Sequence, residues 1–304
     1  MNLQVVFFEL SINGIAMGMI YALMAMGLIL LIRAIGVMNF AQGDLLMFGA
    51  FISWALTNQL QSEWYLKVPL AMLGFALVAL IFMFTVYWPL RHASYPAALI
   101  ISTMGASMAL REIATITWGS LPLAMSPIIP RAGWKILGFT VPRTLSLWGS
   151  RLQTQYILTI LVGASLISMV FLLFEKFYAG RVMQAAAQDK YVAELLGIPT
   201  IITTAATYII VVTLASIGGY MISPIFLVSN TLGTLQLRAF AGVIIGGFGS
   251  ITGAIIGSLI IGLVESYSSI FTTVYRDAVV FGVLILMLLV RPQGIFGEKI
   301  SDKA

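Results

Sequence analysis

Residues 7–32 carry a single charge, Glu9, in a run long enough to cross the hydrocarbon core of a bilayer. Apolar runs of spanning or near-spanning length recur at residues 68–90, 97–118, 154–173, 201–222 and 277–290, with a shorter one at 45–56. Lipid offers no hydrogen-bond partners, so a run of this kind has to close its backbone bonds within itself, as a helix. Composition agrees: 60% of the 304 residues are hydrophobic and 9% are charged, with mean hydropathy +1.03. The predicted fold class is therefore all-α, a polytopic membrane helix bundle of about 8–9 spans with at least one broken or glycine-rich helix pair.

Composition also removes several functions. With no cysteine and one histidine, His92, and no HExxH pair, an intramembrane enzyme using metal or thiol chemistry has almost no material to work with. A net charge of +5 is small for this length and does not suggest a nucleic-acid partner. No glycine-rich loop ending in Gly-Lys-Ser/Thr occurs, so ATP, if it drives this protein, is hydrolysed on another chain. Residues 1–10 lack a basic signal region, and the first run is expected to be kept as a span.

Charges within or beside the runs receive simple readings. Arg111 and Glu112 interrupt residues 97–118 and suggest a frayed or tilted end. Glu9, Arg111, Glu112 and Glu265 read either as functional candidates or as residues near membrane boundaries, Arg276 and Asp277 are placed at the interface, and Tyr87 and Trp88 read as interface anchors before Arg91 and His92. Residues 121–153 hold Pro122, Pro127, Pro130 and Pro142, too many for a helix, and read as an extramembrane loop.

Three stretches carry more. In residues 36–44, Asn39, Gln42 and Asp44 crowd the entrance to the second apolar run, where Gly43 leaves backbone N–H groups open. These groups either line a polar passage or serve a plainer purpose, with Asp44 capping its own helix. In residues 238–265, Gly242, Gly246, Gly247, Gly249, Gly253, Gly257 and Gly262 interrupt an apolar sequence. The cluster at 246–250 predicts a break between two half-length helices or a tight hairpin, serving helix packing, a pathway or both. Gly14 and Gly18 form a further small-residue face.

Residues 180–200 form the only long amphipathic segment among the apolar ones. They read as one helix, stopped by Gly197 and Pro199, with Asp189, Lys190 and Glu194 too costly to bury unpaired in lipid. Such a helix lies at the surface, either docking a partner or resting on the membrane alone.

The motifs together resemble the branched-chain amino acid permeases of ABC importers. Asn39-Phe40-Ala41-Gln42-Gly43-Asp44-Leu45 is similar to that family's early signature. Gly246-Gly247-Phe248-Gly249-Ser250, continuing to Gly253-Ala254, is similar to its glycine segment, and Tyr275-Arg276-Asp277-Ala278 through Phe281, then Arg291-Pro292-Gln293-Gly294-Ile295-Phe296-Gly297, to its C-terminal signature, which serves identification more than mechanism. Residues 180–198 look like its cytoplasmic coupling loop, although Gln184 or Ala185 stands where the wider superfamily has glutamate.

The resemblance implies one transmembrane domain over residues 1–304, with a coupling loop at 176–200 and an outer loop at 121–153. It sits as a multi-pass protein in the bacterial inner membrane. Expected partners are a second related permease subunit, two cytoplasmic ABC ATPase subunits and a periplasmic amino-acid-binding protein, with lipid around them. ATP and Mg would sit on the ATPases, and this chain would bind no cofactor. Coupling is expected at Gln184, Ala185, Ala186, Ala187, Gln188, Asp189, Ala193, Leu196 and Gly197. The path is expected at Asn39, Gln42, Gly43, Asp44, Gly246, Gly247, Gly249, Gly253 and Gly257.

A cytoplasmic coupling loop places Arg33, Arg91, Lys176, Arg181 and Lys190 inside. It also leaves Arg131, Lys135, Arg143 and Arg151 outside, a conflict that the resemblance, not charge, decides. Leucine, isoleucine and valine are the implied cargo, with urea as the alternative. An ion-coupled secondary transporter would rest on Asp44, the one attractive embedded carboxylate.

Overall fold

The computed structural model describes residues 3–59, 64–91, 93, 95–129, 134–136, 139–147, 149–271 and 274–297. His92, Pro130, Arg131 and the tail lysines Lys299 and Lys303 lie outside them. In chain order the helices are α1 (Leu3–Ile35), α2 (Gln42–Asn58), α3 (Trp64–Phe82), α4 (Pro96–Trp118), α5 (Thr154–Lys176), α6 (Tyr178–Gln188), α7 (Lys190–Leu195), α8 (Thr200–Ile222), α9 (Leu235–Gly246), α10 (Ile251–Ser268) and α11 (Arg276–Val290). Six of the described helical segments are long and apolar enough to cross a membrane.

The chain divides into two compact units. One comprises Met26–Ser126 and Ser165–Gln236. Here α2 and α8 lie against each other at glycines. A Cβ on Gly219 would fall 2.2 Å from the Leu46 carbonyl oxygen, and one on Gly49 2.3 Å from Ser216 Cα. Small residues are what lets two helices meet in lipid, where apolar surface alone gives no advantage to association. Around this contact Phe51 stacks on Trp118 at 4.9 Å. The third apolar run extends past α3 through a π-helical turn, Met83–Tyr87, and a 3₁₀ turn, Trp88–Leu90.

The other unit comprises Met1–Ala25, Pro127–Ala164 and Leu237–Ala304. Its α1 uses Gly14 and Gly18 to approach α10, where added Cβ atoms would meet Leu263 Cα at 2.9 Å and Leu259 Cα at 2.8 Å. Residues α9 and α10 form the expected broken pair: Gly242 faces Ser258, and a Cβ on Gly257 would sit 2.1 Å from the Gly242 carbonyl oxygen. Helix α10 starts at Ser250, whose Oγ accepts from Gly253 N at 3.0 Å.

One expectation about this architecture is filled in by the structure, and one needs correction. The proline-rich loop contains strands, β1 (Trp134–Ile136) paired antiparallel with β2 (Phe139–Val141), and β3 (Thr144–Leu147) with β4 (Ser150–Gln153). Proline excludes helix there, yet the short β-branched and apolar stretches between prolines still find hydrogen-bond partners in each other. The segment at 180–200 is two helices, not one. Asp189, with φ −151° and ψ 107°, is extended, and its Oδ1 accepts from Val192 N at 3.0 Å, ending α6 and capping α7.

Glycine contacts of this kind predict contrasting variants. Gly219→Val forces backbone apart and should destabilise the chain by about 3 kcal/mol or more. Gly105→Ala, in α4 with nothing within 4 Å of the new Cβ, should be neutral or stabilising by up to ~1 kcal/mol. Thermal unfolding in detergent, followed by tryptophan fluorescence, separates them; equal midpoints would contradict the packing.

Candidate functional site

The start of α2 is wholly buried. Asn39, Gln42 and Asp44 are each 0% exposed, although three polar side chains in succession would ordinarily seek water. Their partners explain how they remain inside. Asn39 Oδ1 accepts from Ala41 N at 3.0 Å, Gln236 Nε2 donates to the Asn39 carbonyl at 3.1 Å, and Gly43 N donates to Gln236 Oε1 at 2.7 Å. Gly43 permits this approach, since a Cβ there would lie 2.1 Å from the Gly233 carbonyl oxygen.

Asp44 does not cap α2. The N-cap position is Ala41, without a side-chain cap bond. Asp44 Oδ2 instead accepts from Ser107 Oγ at 2.5 Å, and Oδ1 from Arg111 Nε at 2.7 Å. Arg111 therefore does not fray α4, which continues to Trp118. It supplies the counter-charge for a carboxylate that α2 carries inside, and a buried charge that is paired is far cheaper than one that is not. Sequence spacing gave no sign of this pair, because the partners lie on different helices. Asn39 Nδ2 and Gln42 Oε1 are buried with no hydrogen-bond partner among the described residues, an unusual condition for polar atoms in a folded protein.

In the other unit the glycine hairpin is completed by a segment that sequence reading treated as a signature without mechanism. Ile295 N donates to the Ile245 carbonyl at 2.8 Å, and Phe296 N to the Gly246 carbonyl at 2.9 Å. The last turn of a helix leaves carbonyls without intrahelical partners; residues 295 and 296 satisfy two of them at the end of α9. Gly247, at φ +105°, turns the chain there, and a Cβ on it would fall 2.6 Å from Gly297 N. Gly246 and Gly253 pack backbone to backbone, and Gly249, at φ +96°, has open space beside it.

Glu265, near the end of α10, is a buried carboxylate. It is 3% exposed, because Tyr21 Oη donates to its Oε2 at 2.6 Å and Arg238 Nη1 lies 3.1 Å from its Oε1. Arg238 Nη2 also reaches Asp277 Oδ1 at 2.6 Å, and Arg276 Nη1 stands 3.8 Å from Glu265. Two arginines, two carboxylates and a tyrosine thus join α1, α9, α10 and α11 in a neutral network. The motif at 275–278 that looked like an identifying feature is half of it.

The amphipathic segment presents a mixed face. Gln184, Ala185, Gln188, Asp189, Leu196 and Gly197 are exposed, Ala187 is half-buried, and Ala186 and Ala193 point inward. Gln184 Nε2 donates to the Phe174 carbonyl at 2.9 Å, tying α6 to the end of α5. A double hydrogen bond, Gly197 N to Glu194 O and Ile198 N to Ala193 O, closes α7. Sequence reading missed the large exposed side chains Tyr191 (72%) and Leu195 (70%), which stand beside Leu196 (75%). Among the described residues, no group of three or more His, Asp or Glu side chains is gathered closely enough to hold a metal ion.

The family described as branched-chain amino acid transport system / permease component matches residues 10–288. The chain belongs to this family. The permease is 33% identical to the high-affinity branched-chain amino acid transport system permease protein LivH of Salmonella typhimurium, over 98% of this chain and 97% of that one. It is 31% identical to LivH of Escherichia coli K12, with the same coverage, and 31% identical to BraD of Pseudomonas aeruginosa, over 96% of each. The likeness to these relatives runs over nearly the whole of the chain. The family is one of transport subunits, so the permease is not an enzyme and its buried carboxylates are not a catalytic pair.

The ion pair at the start of α2 gives a quantitative expectation. Arg111→Ala leaves the Asp44 carboxylate buried with Ser107 alone and should destabilise the permease by about 3 kcal/mol. Adding Asp44→Asn should recover much of that loss. Chemical denaturation of the two single variants and the double variant tests this, and additive losses would refute a direct coupling.

Proposed function

We propose that this chain is the permease subunit of an ATP-driven ABC importer that carries leucine, isoleucine and valine across the bacterial inner membrane. Family membership over nearly the whole chain carries this reading. ATP is hydrolysed by partner subunits, which together with a soluble amino-acid receptor and a second permease subunit complete the importer.

Alternating access is the mechanism that fits a chain of this kind. The coupling surface is the exposed side of α6 and α7: Gln184, Ala185, Gln188, Asp189, Leu196 and Gly197, extended by Tyr191 and Leu195. Ala186 and Ala193 act from below, as small residues that let these helices lie on the body of the permease. Asp189 divides the surface, so that a push on α7 moves it as a separate lever.

In one unit the start of α2 is read as lining the path, since Asn39 Nδ2 and Gln42 Oε1 have hydrogen-bonding capacity left over; in the other, the glycine hairpin of α9 and α10 is given the same role. Membrane crossings by α2 and α11 would bring the six long helices to eight, and the half-length α9 supplies a ninth apolar segment. At 17 residues α2 rises only about 25 Å, so it spans best where the bilayer thins or where the path opens to water. The carboxylate of Asp44 is held by Arg111, which leaves an ion-coupled mechanism without its free acid.

Labelled leucine uptake into proteoliposomes holding the permease with its genomic partners tests the proposal. Uptake should need ATP and both ATPase subunits and should resist excess urea. Transport by this chain alone, or competition by urea, would overturn it. Asp189→Ala removes the cap of α7, worth about 1 kcal/mol, and should lower leucine imported per ATP hydrolysed while leaving the ATPases bound; an unchanged ratio would exclude α7 as a lever.

A further inference from the structure

A cavity of about 700 Å³ opens between the end of the third apolar run and the α7 to α8 connection, lined in part by Tyr87, Trp88, Arg91, Lys190, Tyr191 and Thr200. Its two cations are held by aromatic rings. The Arg91 guanidinium lies 3.6 Å from the centre of the Trp88 ring, and Nη1 donates to the Trp88 carbonyl at 3.0 Å. Lys190 Nζ donates to Tyr87 Oη at 2.9 Å and lies 5.5 Å from the same ring's centre. Neither cation forms an ion pair among the described residues. The one carboxylate in the lining, Glu194, is bonded to the Thr200 hydroxyl. The cavity therefore carries net positive charge and has donors already oriented by aromatic contacts.

Below it, along the same apolar run, Leu77, Ile81 and Phe84 are exposed. Their spacing of four and three residues places them on one face of the run that leads to Trp88. Charged donors at the end of a span, an aromatic girdle and an apolar stripe descending from it match, in order, a phosphate, a glycerol region and an acyl chain.

We infer that this cavity binds the headgroup phosphate of an anionic phospholipid, whose acyl chain lies along Leu77, Ile81 and Phe84. Arg91 is contributed by the end of a membrane span and Lys190 by α7, so one bound phosphate bridges the two. The lipid is thereby a ligand of the coupling segment, and its site does not depend on which solute the importer carries.

The assembled importer, purified in detergent after equilibration with vesicles of phosphatidylcholine mixed with phosphatidylglycerol, tests this. Phosphatidylglycerol retained per permease is read by native mass spectrometry, and ATPase subunits retained are read from the same spectra. Arg91→Gln should weaken phosphatidylglycerol retention about fivefold, and Arg91→Gln with Lys190→Gln about thirtyfold, with ATPase stoichiometry intact. Phosphatidylcholine retention should not change. Retention unchanged in the double variant would overturn the site, as would loss of the ATPases with lipid retained, which would make the cavity a seat for protein. Trp88→Leu, which keeps both cations but removes the ring beneath Arg91, guards against misfolding of the charge variants. It should lower retention by less than either, and a loss equal to that of the double variant would argue against phosphate as the ligand.

Discussion

Two helices that meet backbone to backbone cannot be pushed closer or rotated without collision, and that restriction sets the spacing of most elements here. Gly49 and Gly219 bring α2 onto α8, Gly14 and Gly18 bring α1 onto α10, and Gly242, Gly246, Gly253 and Gly257 press α9 onto α10. In water such contacts would be a minor term beside the expulsion of solvent from larger side chains. In lipid that driving force between helices is absent, and close van der Waals contact replaces it. The glycines at these contacts are in this sense core residues of the protein.

Close backbones leave little room for polar side chains, and the ones that enter do so in closed sets. Asp44 with Ser107 and Arg111, and Glu265 with Tyr21, Arg238, Arg276 and Asp277, each gather their charges from helices remote in sequence. Their neutrality is what makes burial tolerable, and their geometry fixes the rotation of each helix as packing fixes its distance. Asn39 and Gln42 each keep a buried polar atom without a hydrogen-bond partner among the described residues, in the stretch proposed to border the path.

The class of fold, the helical runs and the break at residues 246–250 were legible in the sequence because each rests on a local signal: apolar length, or glycine where a helix must stop. The coupling segment was legible as amphipathic, but its division at Asp189 was not. An aspartate followed by a lysine reads equally well as a polar face or as a cap, and only the backbone angles separate them. Charge pairing was invisible for a different reason. Asp44 and Arg111 are partners through the packing of α2 against α4, a relation that no spacing encodes. Arg111 therefore looked like a flaw in its helix, and nothing in the sequence joined Glu265 to Tyr21 and Arg238.

The capping of α9 by residues 295 and 296 bears on how the protein is made. Until residues 295 and 296 have left the ribosome, the carbonyls of Ile245 and Gly246 have none of the donors that finally occupy them. The α9 and α10 pair is thus finished from outside its own sequence, by backbone that lies beyond α11.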